Sequence, residues 1–207
     1  MERGGGGTHR RVLRTFYRGR EFLVLPEVYE PAEDTFLLAD HLEVREGERV
    51  LELGTGCGIL AVLAAERGGR VLATDVSEEA LRCAWLNSWR NGVGPRVELR
   101  KGHLFEPVGE LRFDLIVFNP PYLPEEGEGD PRWSGGEDGR KVLDPFLSAL
   151  PLHLSKGGRA LFVQSSLSGV EETLRRVREE GLGIRLLSRL KLPFEELVVV
   201  EARMEPF

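Results

Sequence analysis

The sequence predicts an α/β fold: a mostly parallel, seven-stranded sheet with helices on both faces, closed at its C-terminal end by an antiparallel hairpin. Two observations carry this prediction. From residue 49 onward, short apolar runs alternate with amphipathic or charged stretches, which is typical of strand–helix units with buried parallel strands. The last two runs, 183–192 and 195–203, flank Pro193 with no helix between them, which indicates the hairpin.

The elements follow in order along the chain. Pro31 opens an amphipathic segment in which apolar residues recur at helical spacing. Ser77 is a suitable N-cap for a later helix, because two acids follow it. The predicted strands span residues 21–25, 49–53, 70–74, 97–100, 113–118, 159–164, 183–192 and 195–203. The predicted helices span residues 31–43, 59–67, 78–91, 141–154 and 170–180.

Residues 21–207 are expected to form one globular domain, because this length suits a single core and no internal repeat appears. Residues 1–20 are rich in glycine and arginine, and Glu2 is their only acid. They also lack the apolar run of a signal peptide. We expect a flexible tail here, with a docking arm for RNA, the ribosome or an acidic protein as the alternative.

Composition excludes several classes of protein. The net charge of −6 argues against an extensive grip on DNA or RNA, because phosphate neutralisation needs a basic surface. No apolar run approaches the roughly 20 residues of a membrane span. Cys57 and Cys83 are the only cysteines and the four histidines are scattered, so neither a disulfide framework nor a bound metal is expected. A cytoplasmic location follows.

A glycine-rich turn follows the strand at 49–53. Its sequence, Glu52-Leu-Gly-Thr-Gly-Cys-Gly58, lets the backbone turn sharply and approach a ligand closely. Asp75 ends the next strand, where a carboxylate can accept hydrogen bonds from ribose hydroxyls. Ile59 stands where a dinucleotide fingerprint needs glycine. The pattern predicts a nucleoside cofactor, S-adenosylmethionine rather than NAD, and Glu52 would serve the site by hydrogen bonds or form an ion pair.

Asn119-Pro120-Pro121-Tyr122 follows the apolar strand at 113–118. Two prolines stiffen the turn, so the side-chain carbonyl of Asn119 and the backbone carbonyl of Pro120 form a rigid pair of acceptors. A planar –NH2 group offers two matching hydrogens, and Tyr122 can stack on its face. The motif predicts methylation of an amide or exocyclic amine nitrogen.

These motifs resemble those of the HemK-like release-factor glutamine methyltransferases, in particular the short archaeal and eukaryotic type. The segment 28–36 resembles that group's N-terminal signature, and 52–58 and 119–122 match its cofactor and acceptor motifs. Residues 133–136 and 139–140 resemble the loop that follows the acceptor motif. The resemblance covers roughly residues 28–203 and implies a Rossmann-like class I methyltransferase fold.

The resemblance also implies a substrate and a partner: the glutamine of the Gly-Gly-Gln loop in a class I release factor, and a small zinc-binding activator that covers an apolar sheet edge. The predicted catalytic residues are Asn119, Pro120 and Tyr122, and Pro121 joins them in binding the substrate. The predicted cofactor-binding residues are Thr35, Glu52, Gly54, Gly56, Gly58, Asp75, His103, Leu104 and Asn119.

One position departs from the family pattern. His103 stands where the family has an aspartate that binds the adenine amino group. A neutral imidazole nitrogen can accept that hydrogen bond, with a pH-sensitive tautomer. The backbone of Leu104 is the alternative contact.

Other functions stay open at this point. The acceptor motif suits adenine N6 or cytosine N4 in DNA, tRNA or rRNA equally well, provided that the base is flipped or single-stranded. An NAD-dependent oxidoreductase, a partner-binding protein of the same fold and a lysine methyltransferase are further alternatives. The acidic loop, residues 125–138, is expected to repel phosphates and attract a basic release-factor surface.

Overall fold

A computed structural model describes residues 11–125, 127, 129–130 and 132–204. Its strands are β1 Leu13–Tyr17, β2 Arg20–Val24, β3 Arg49–Leu53, β4 Arg70–Asp75, β5 Val97–Lys101, β6 Phe113–Phe118, β7 Leu154–Ser165, β8 Gly183–Lys191 and β9 Glu196–Arg203. Its α-helices are α1 Glu33–Asp40, α2 Ile59–Glu66, α3 Glu78–Arg90, α4 Leu143–His153 and α5 Val170–Glu179.

Seven strands form the main sheet in the order β5-β4-β3-β6-β7-β9-β8. Strands β3 to β7 run parallel to one another, whereas β9 runs antiparallel between β7 and β8. The predicted fold is therefore confirmed, including the C-terminal hairpin. The chain leaves β3 towards β4 on one side and later returns to β6 on the other, so a crevice opens beyond the carboxyl end of β3.

Both faces of the sheet are covered, and side chains alternate between two apolar clusters. Val50 of β3 belongs to the cluster that contains α1 and α2, and its neighbour Leu51 belongs to the cluster that contains α4. Burial on both faces explains why these strands read as continuous apolar runs in the sequence. Glu52 lies two residues after Val50 on the same strand, so its side chain points to the face that α1 and α2 cover.

The N-terminal segment differs from the expected flexible tail. Residues 13–17 form β1, which pairs antiparallel with β2 in a separate two-stranded sheet. The Tyr17 ring stacks on Phe36 at a centroid distance of 5.6 Å, and its hydroxyl donates to Asp40 at 2.6 Å. The prediction of a tail over residues 1–20 is thus wrong for β1, and residues 1–10 lie outside the described part of the chain.

Other boundaries differ modestly. Helix α1 is shorter than the predicted 31–43, and β7 begins five residues before the predicted 159. None of the helices in the described residues is long and apolar enough to cross a membrane.

Candidate active site

A cavity of about 1090 Å³ opens beyond the carboxyl ends of β3, β4 and β6. It brings together nearly all the predicted site residues, which come from five separate segments of the chain. The predicted residues that line it are Thr35, Glu52, Gly54, Gly56, Asp75, His103, Leu104, Asn119, Pro120, Pro121 and Tyr122. Gly58 does not line it.

Gly58 has a packing role, and its predicted cofactor contact stays a prediction. It caps α2 with a left-handed backbone, φ +82°, and a Cβ there would come within 2.7 Å of the Ala84 Cα atom. The absence of a side chain lets α2 start close against α3. Gly56 differs, because it lines the cavity and a Cβ on it would meet no protein atom within 4 Å.

Asp75 ends β4 and is held in place by backbone donors. Its Oδ2 accepts the Gly56 N–H at 3.0 Å, and its Oδ1 accepts the Ser77 N–H at 2.9 Å. Burial raises the pKa of Asp75, while these backbone hydrogen bonds lower it. Each oxygen keeps a further lone pair, so the carboxylate can accept hydrogen bonds from the two hydroxyls of a ribose. The turn and this carboxylate fit a nucleoside cofactor.

Glu52 is a buried carboxyl group between the glycine turn and Asp75. It is 3% exposed, and its Oε2 accepts the Thr55 hydroxyl at 2.6 Å. Burial raises its pKa to about 8, the Thr55 hydrogen bond opposes that shift, and the charge of Asp75 adds to it. Among the described residues no cation pairs with Glu52, so the geometry agrees with the hydrogen-bonding role rather than with an ion pair.

His103 and Leu104 lie on the cavity wall after β5. His103 is exposed, and its backbone N–H donates to Glu106 Oε2 at 3.3 Å. Leu104 adopts a left-handed backbone with φ +46°, unusual for a residue with a side chain. The structure thus brings both residues to the cavity, and the predicted adenine contact stays a prediction.

Asn119 follows β6, and its side-chain amide has an unequal environment. The Nδ2 group donates to Asp34 Oδ2 at 3.0 Å and to Thr35 Oγ1 at 3.1 Å. The Oδ1 atom is buried and has no hydrogen-bond partner among the described residues. Since a buried polar atom without a partner is costly, this acceptor is well suited to receive a donor from a bound ligand.

Asp34 and Tyr29 are site residues that the sequence did not single out, although both lie within the recognised 28–36 signature. The Oδ2 of Asp34 accepts the Tyr29 hydroxyl at 2.9 Å and the Tyr122 hydroxyl at 3.0 Å. Burial, and next the charge of Asp34, raise the pKa of both tyrosines. Both phenols are therefore donors. The sequence offered one indication of this role: Asp34 lies one helical turn before Leu38 and therefore on the buried face of α1.

The segment after Tyr122 is a loop that lines part of the cavity. Leu123 pairs with residues later in the same loop: its N–H donates to the Trp133 carbonyl, and its carbonyl accepts the Gly135 N–H, both at 2.9 Å. Arg140 anchors the far end, because its buried guanidinium donates to the Ser168 carbonyl at 2.6 Å. Glu126 and Glu128 lie outside the described residues.

No cluster of three or more histidine, cysteine or acidic side chains in the described part of the chain is arranged to hold a metal ion. Both cysteines are free and buried.

Fold and cavity together define the class of the protein as a Rossmann-like class I methyltransferase. The family model of the methyltransferase small domain matches residues 30–181. The Methanocaldococcus jannaschii protein provisionally named protein N5-glutamine methyltransferase is 40% identical over 184 residues, which cover 86% of this chain and 92% of that protein.

Two further relatives point to the same group. Human methyltransferase HEMK2 is 38% identical over 181 residues, covering 79% of this chain and 84% of that protein. The solved E. cuniculi Mtq2–Trm112 complex, described as responsible for methylation of the translation termination factor eRF1, matches with a TM-score of 0.69 and 28% identity. That match covers 86% of this chain and 98% of the solved one. The chain belongs to the HemK-like protein glutamine methyltransferases of the methyltransferase small-domain family, and the resemblance inferred from the motifs is confirmed.

Proposed function

We propose that this protein transfers a methyl group from S-adenosylmethionine to the side-chain amide nitrogen of a glutamine, in the Gly-Gly-Gln motif of a class I release factor. The observation that carries the proposal is the buried, unpartnered Oδ1 of Asn119 on the wall of the cavity. An acceptor in that state favours a ligand that brings an N–H donor. The names of the relatives support glutamine as that ligand.

The chemistry explains why such an acceptor is needed. An amide nitrogen is a poor nucleophile, because its lone pair is delocalised over the carbonyl group. Asn119 Oδ1, with the predicted second acceptor on Pro120, would hold both amide hydrogens and aim the lone pair out of the amide plane. As positive charge develops on the nitrogen, its N–H groups become stronger donors, so the acceptors bind the transition state more tightly than the ground state.

S-adenosylmethionine, when bound, supplies the electrophilic methyl group. Asp75 would hold the ribose hydroxyls, and the turn at Gly54 and Gly56 would let the backbone approach the cofactor. The open space beside Gly56 supports this placement. Glu52 would hold the glycine turn in place by accepting the Thr55 hydroxyl. His103 or Leu104 would contact the adenine, Thr35 would contact the cofactor from α1, and Tyr122 would stack on the amide.

We further propose that a small zinc-binding activator docks at the β5 edge of the sheet. Strand β5 is the first strand of the sheet order and has no neighbour on its outer side among the described residues. Beside it, Trp85 and Trp89 of α3 are 53% and 54% exposed. The complex of the relative Mtq2 with Trm112 supports a partner of this kind. Replacing both tryptophans by alanine should abolish co-purification with such a subunit. If the subunit still co-purified, the docking site would lie at the opposite edge of the sheet, on β8.

The proposed location is the cytoplasm, where release factors act, and two buried free thiols suit that compartment. Nucleic acid remains the alternative substrate, because base amines present the same pair of hydrogens as a glutamine amide.

The test is methyl transfer from labelled S-adenosylmethionine to a release factor, to the same factor with its Gly-Gly-Gln glutamine replaced by glutamate, and to mixed RNA and DNA. Mass spectrometry would locate the label. We expect label on that glutamine and none on the glutamate variant. Label on nucleic acid alone would show that the substrate is a base amine and not a release-factor glutamine. No transfer after co-expression with an activator would contradict the proposal.

A further inference from the structure

Asp34 is a buried carboxylate that no basic side chain neutralises in the described part of the chain. It is 4% exposed, and its charge is stabilised by hydrogen bonds alone. Three donors converge on Oδ2: the hydroxyls of Tyr29 and Tyr122, and Nδ2 of Asn119. Oδ1 accepts from Thr35, through the backbone N–H at 2.5 Å and the hydroxyl at 3.1 Å.

This arrangement leaves Asn119 only one favourable amide orientation. If the Asn119 amide turned over, its Oδ1 would face Asp34 Oδ2 in place of the present 3.0 Å hydrogen bond. It would also face Thr35 Oγ1, whose only hydrogen already points to Asp34. A carboxylate offers acceptors and no donors, so the turned amide would bring acceptors together on both sides.

We propose that Asp34 is a positioning residue that keeps Asn119 as an acceptor and thereby selects a substrate amide over a carboxylate, glutamine over glutamate. This selection rests on the proposed function of the same cavity. The two tyrosines contribute by filling the remaining acceptor capacity of Asp34 Oδ2. The negative charge also polarises the Asn119 amide, because a donated N–H makes the carbonyl at the other end of the same amide a stronger acceptor.

The substitution Asp34→Asn tests this directly, since it keeps the shape of the side chain. The Thr35 N–H requires an acceptor, so the new amide oxygen would occupy the Oδ1 position and its NH2 group would face Asn119. Asn119 would then turn over and present Nδ2 to the cavity. We expect kcat to fall about 100-fold, as for loss of a preorganised hydrogen bond.

The second readout is binding, which needs no turnover. Calorimetry with the S-adenosylhomocysteine-loaded enzyme would compare peptides that contain Gly-Gly-Gln and Gly-Gly-Glu. The wild type should prefer the glutamine peptide by about tenfold or more, as expected for one unmatched polar contact. Asp34→Asn should lose or reverse that preference. If Asp34 had only a structural role, the substitution would weaken the binding of both peptides equally.

Asp40→Asn is the matched control. Asp40 also lies on α1 and accepts a tyrosine hydroxyl, from Tyr17 at 2.6 Å, but it is not among the residues that line the cavity. This variant should keep the wild-type preference and kcat. If Asp34→Asn kept both within threefold of Asp40→Asn, the inference would be overturned.

A measurement on the wild type keeps the inference testable even if Asp34→Asn fails to fold. The Nδ2 hydrogens of Asn119 should show nuclear Overhauser contacts to the Thr35 side chain, because Nδ2 lies 3.1 Å from Thr35 Oγ1. Absence of those contacts would overturn the proposed orientation. A wild type that binds neither peptide, yet shows the contacts, would refute the proposed substrate and with it the selection of glutamine, while the orientation of Asn119 by Asp34 would hold.

Discussion

The two halves of the cavity are built in different ways. On the cofactor side, the contacts are local or join neighbouring strands: Thr55 donates to Glu52, three residues away, and the Gly56 N–H donates to Asp75, 19 residues away. On the acceptor side, Asn119 and Tyr122 donate to Asp34 across 85 and 88 residues. The first half is made mostly by a backbone turn, the second by side chains that meet only in the folded chain.

The difference suggests a division of roles. Backbone turns and a carboxylate at the end of a strand can bind a cofactor without a precise side-chain network. Alignment of a weak nucleophile needs a fixed acceptor, and Asp34 and Thr35 fix Asn119. Damage to the acceptor side should therefore lower kcat, and damage to the cofactor side should weaken cofactor binding.

The largest expected effect is that of Asn119→Ala. Loss of the acceptor should lower kcat about 1000-fold, or about 4 kcal/mol, with cofactor affinity changed less than about fivefold. Steady-state kinetics and calorimetry would measure the two quantities. Asn91→Ala, which removes a side-chain amide that donates to the Asn87 carbonyl at the end of α3, is the control. A kcat within tenfold of that control would show that Asn119 does not align the substrate.

Asp75→Asn should break the cofactor side. The new NH2 group would face one of the backbone donors, Gly56 N–H or Ser77 N–H, that Asp75 now accepts. We expect the Kd for S-adenosylmethionine to rise about 100-fold, or about 2.7 kcal/mol, while kcat at saturation falls less than tenfold. Asp114→Asn, at the opposite end of the sheet, is the control. Equal losses in kcat for Asp75→Asn and Asn119→Ala would abolish the distinction between the two sides.

Glu52 should make the free protein less stable as the pH rises. Its pKa in the folded chain is about 8, against an ordinary value of 4.5. The folded state therefore holds a proton that the unfolded state has lost, and stability falls as pH increases through this window. Glu52→Gln should remove that dependence, so its stability relative to wild type should grow by about 2 kcal/mol from pH 6 to pH 8.

Denaturant unfolding of both proteins at the two pH values would measure this difference. Glu48→Gln is the control: burial raises the pKa of Glu48, but the hydrogen bond from Arg159 outweighs burial and the net pKa is lowered. Glu48 is therefore charged in both states, and the stability of its variant relative to wild type should not change between pH 6 and pH 8. A constant difference between Glu52→Gln and wild type would mean that Glu52 is already charged at pH 6.

The smallest expected effect concerns the acidic loop. The Glu125 backbone N–H donates to the carbonyl of Gly136 at 3.0 Å, and Gly136 lines the cavity. If the loop attracts a basic substrate, Glu125→Gln should raise KM for the release factor about twofold, and only at low salt. Kinetics at two ionic strengths, beside the exposed Glu110→Gln as control, would detect it. An unchanged KM at low salt would show that Glu125 does not attract the substrate.

Much of the fold was predictable, because strands buried on both faces carry continuous apolar runs. The strand 113–118 matches the predicted bounds to the residue. Strand β1 was not predictable, because Arg14 within it and the arginines on either side resemble a solvated tail. In the folded chain Arg14 pairs with Glu21, and Arg18, in the turn after β1, pairs with Asp40. Those acids come later in the sequence.

The cofactor side of the site could be anticipated for the same reason that it is simple: glycines and an acid at strand ends form a compact motif. The motif alone could not show that Gly56 lines the cavity while Gly58 packs against α3, because both are glycines of the same turn. Asp34 could not be assigned a role from the sequence, because its partners are set by the packing of α1 against the turn after β6.

The most direct test of the account is a crystal structure of the enzyme with S-adenosylhomocysteine and a Gly-Gly-Gln peptide. We expect the glutamine Nε2 within hydrogen-bond distance of Asn119 Oδ1, with Asn119 Nδ2 still donating to Asp34 and Thr35. A glutamine amide bound elsewhere, or an Asn119 amide turned to present Nδ2 to the substrate, would contradict it.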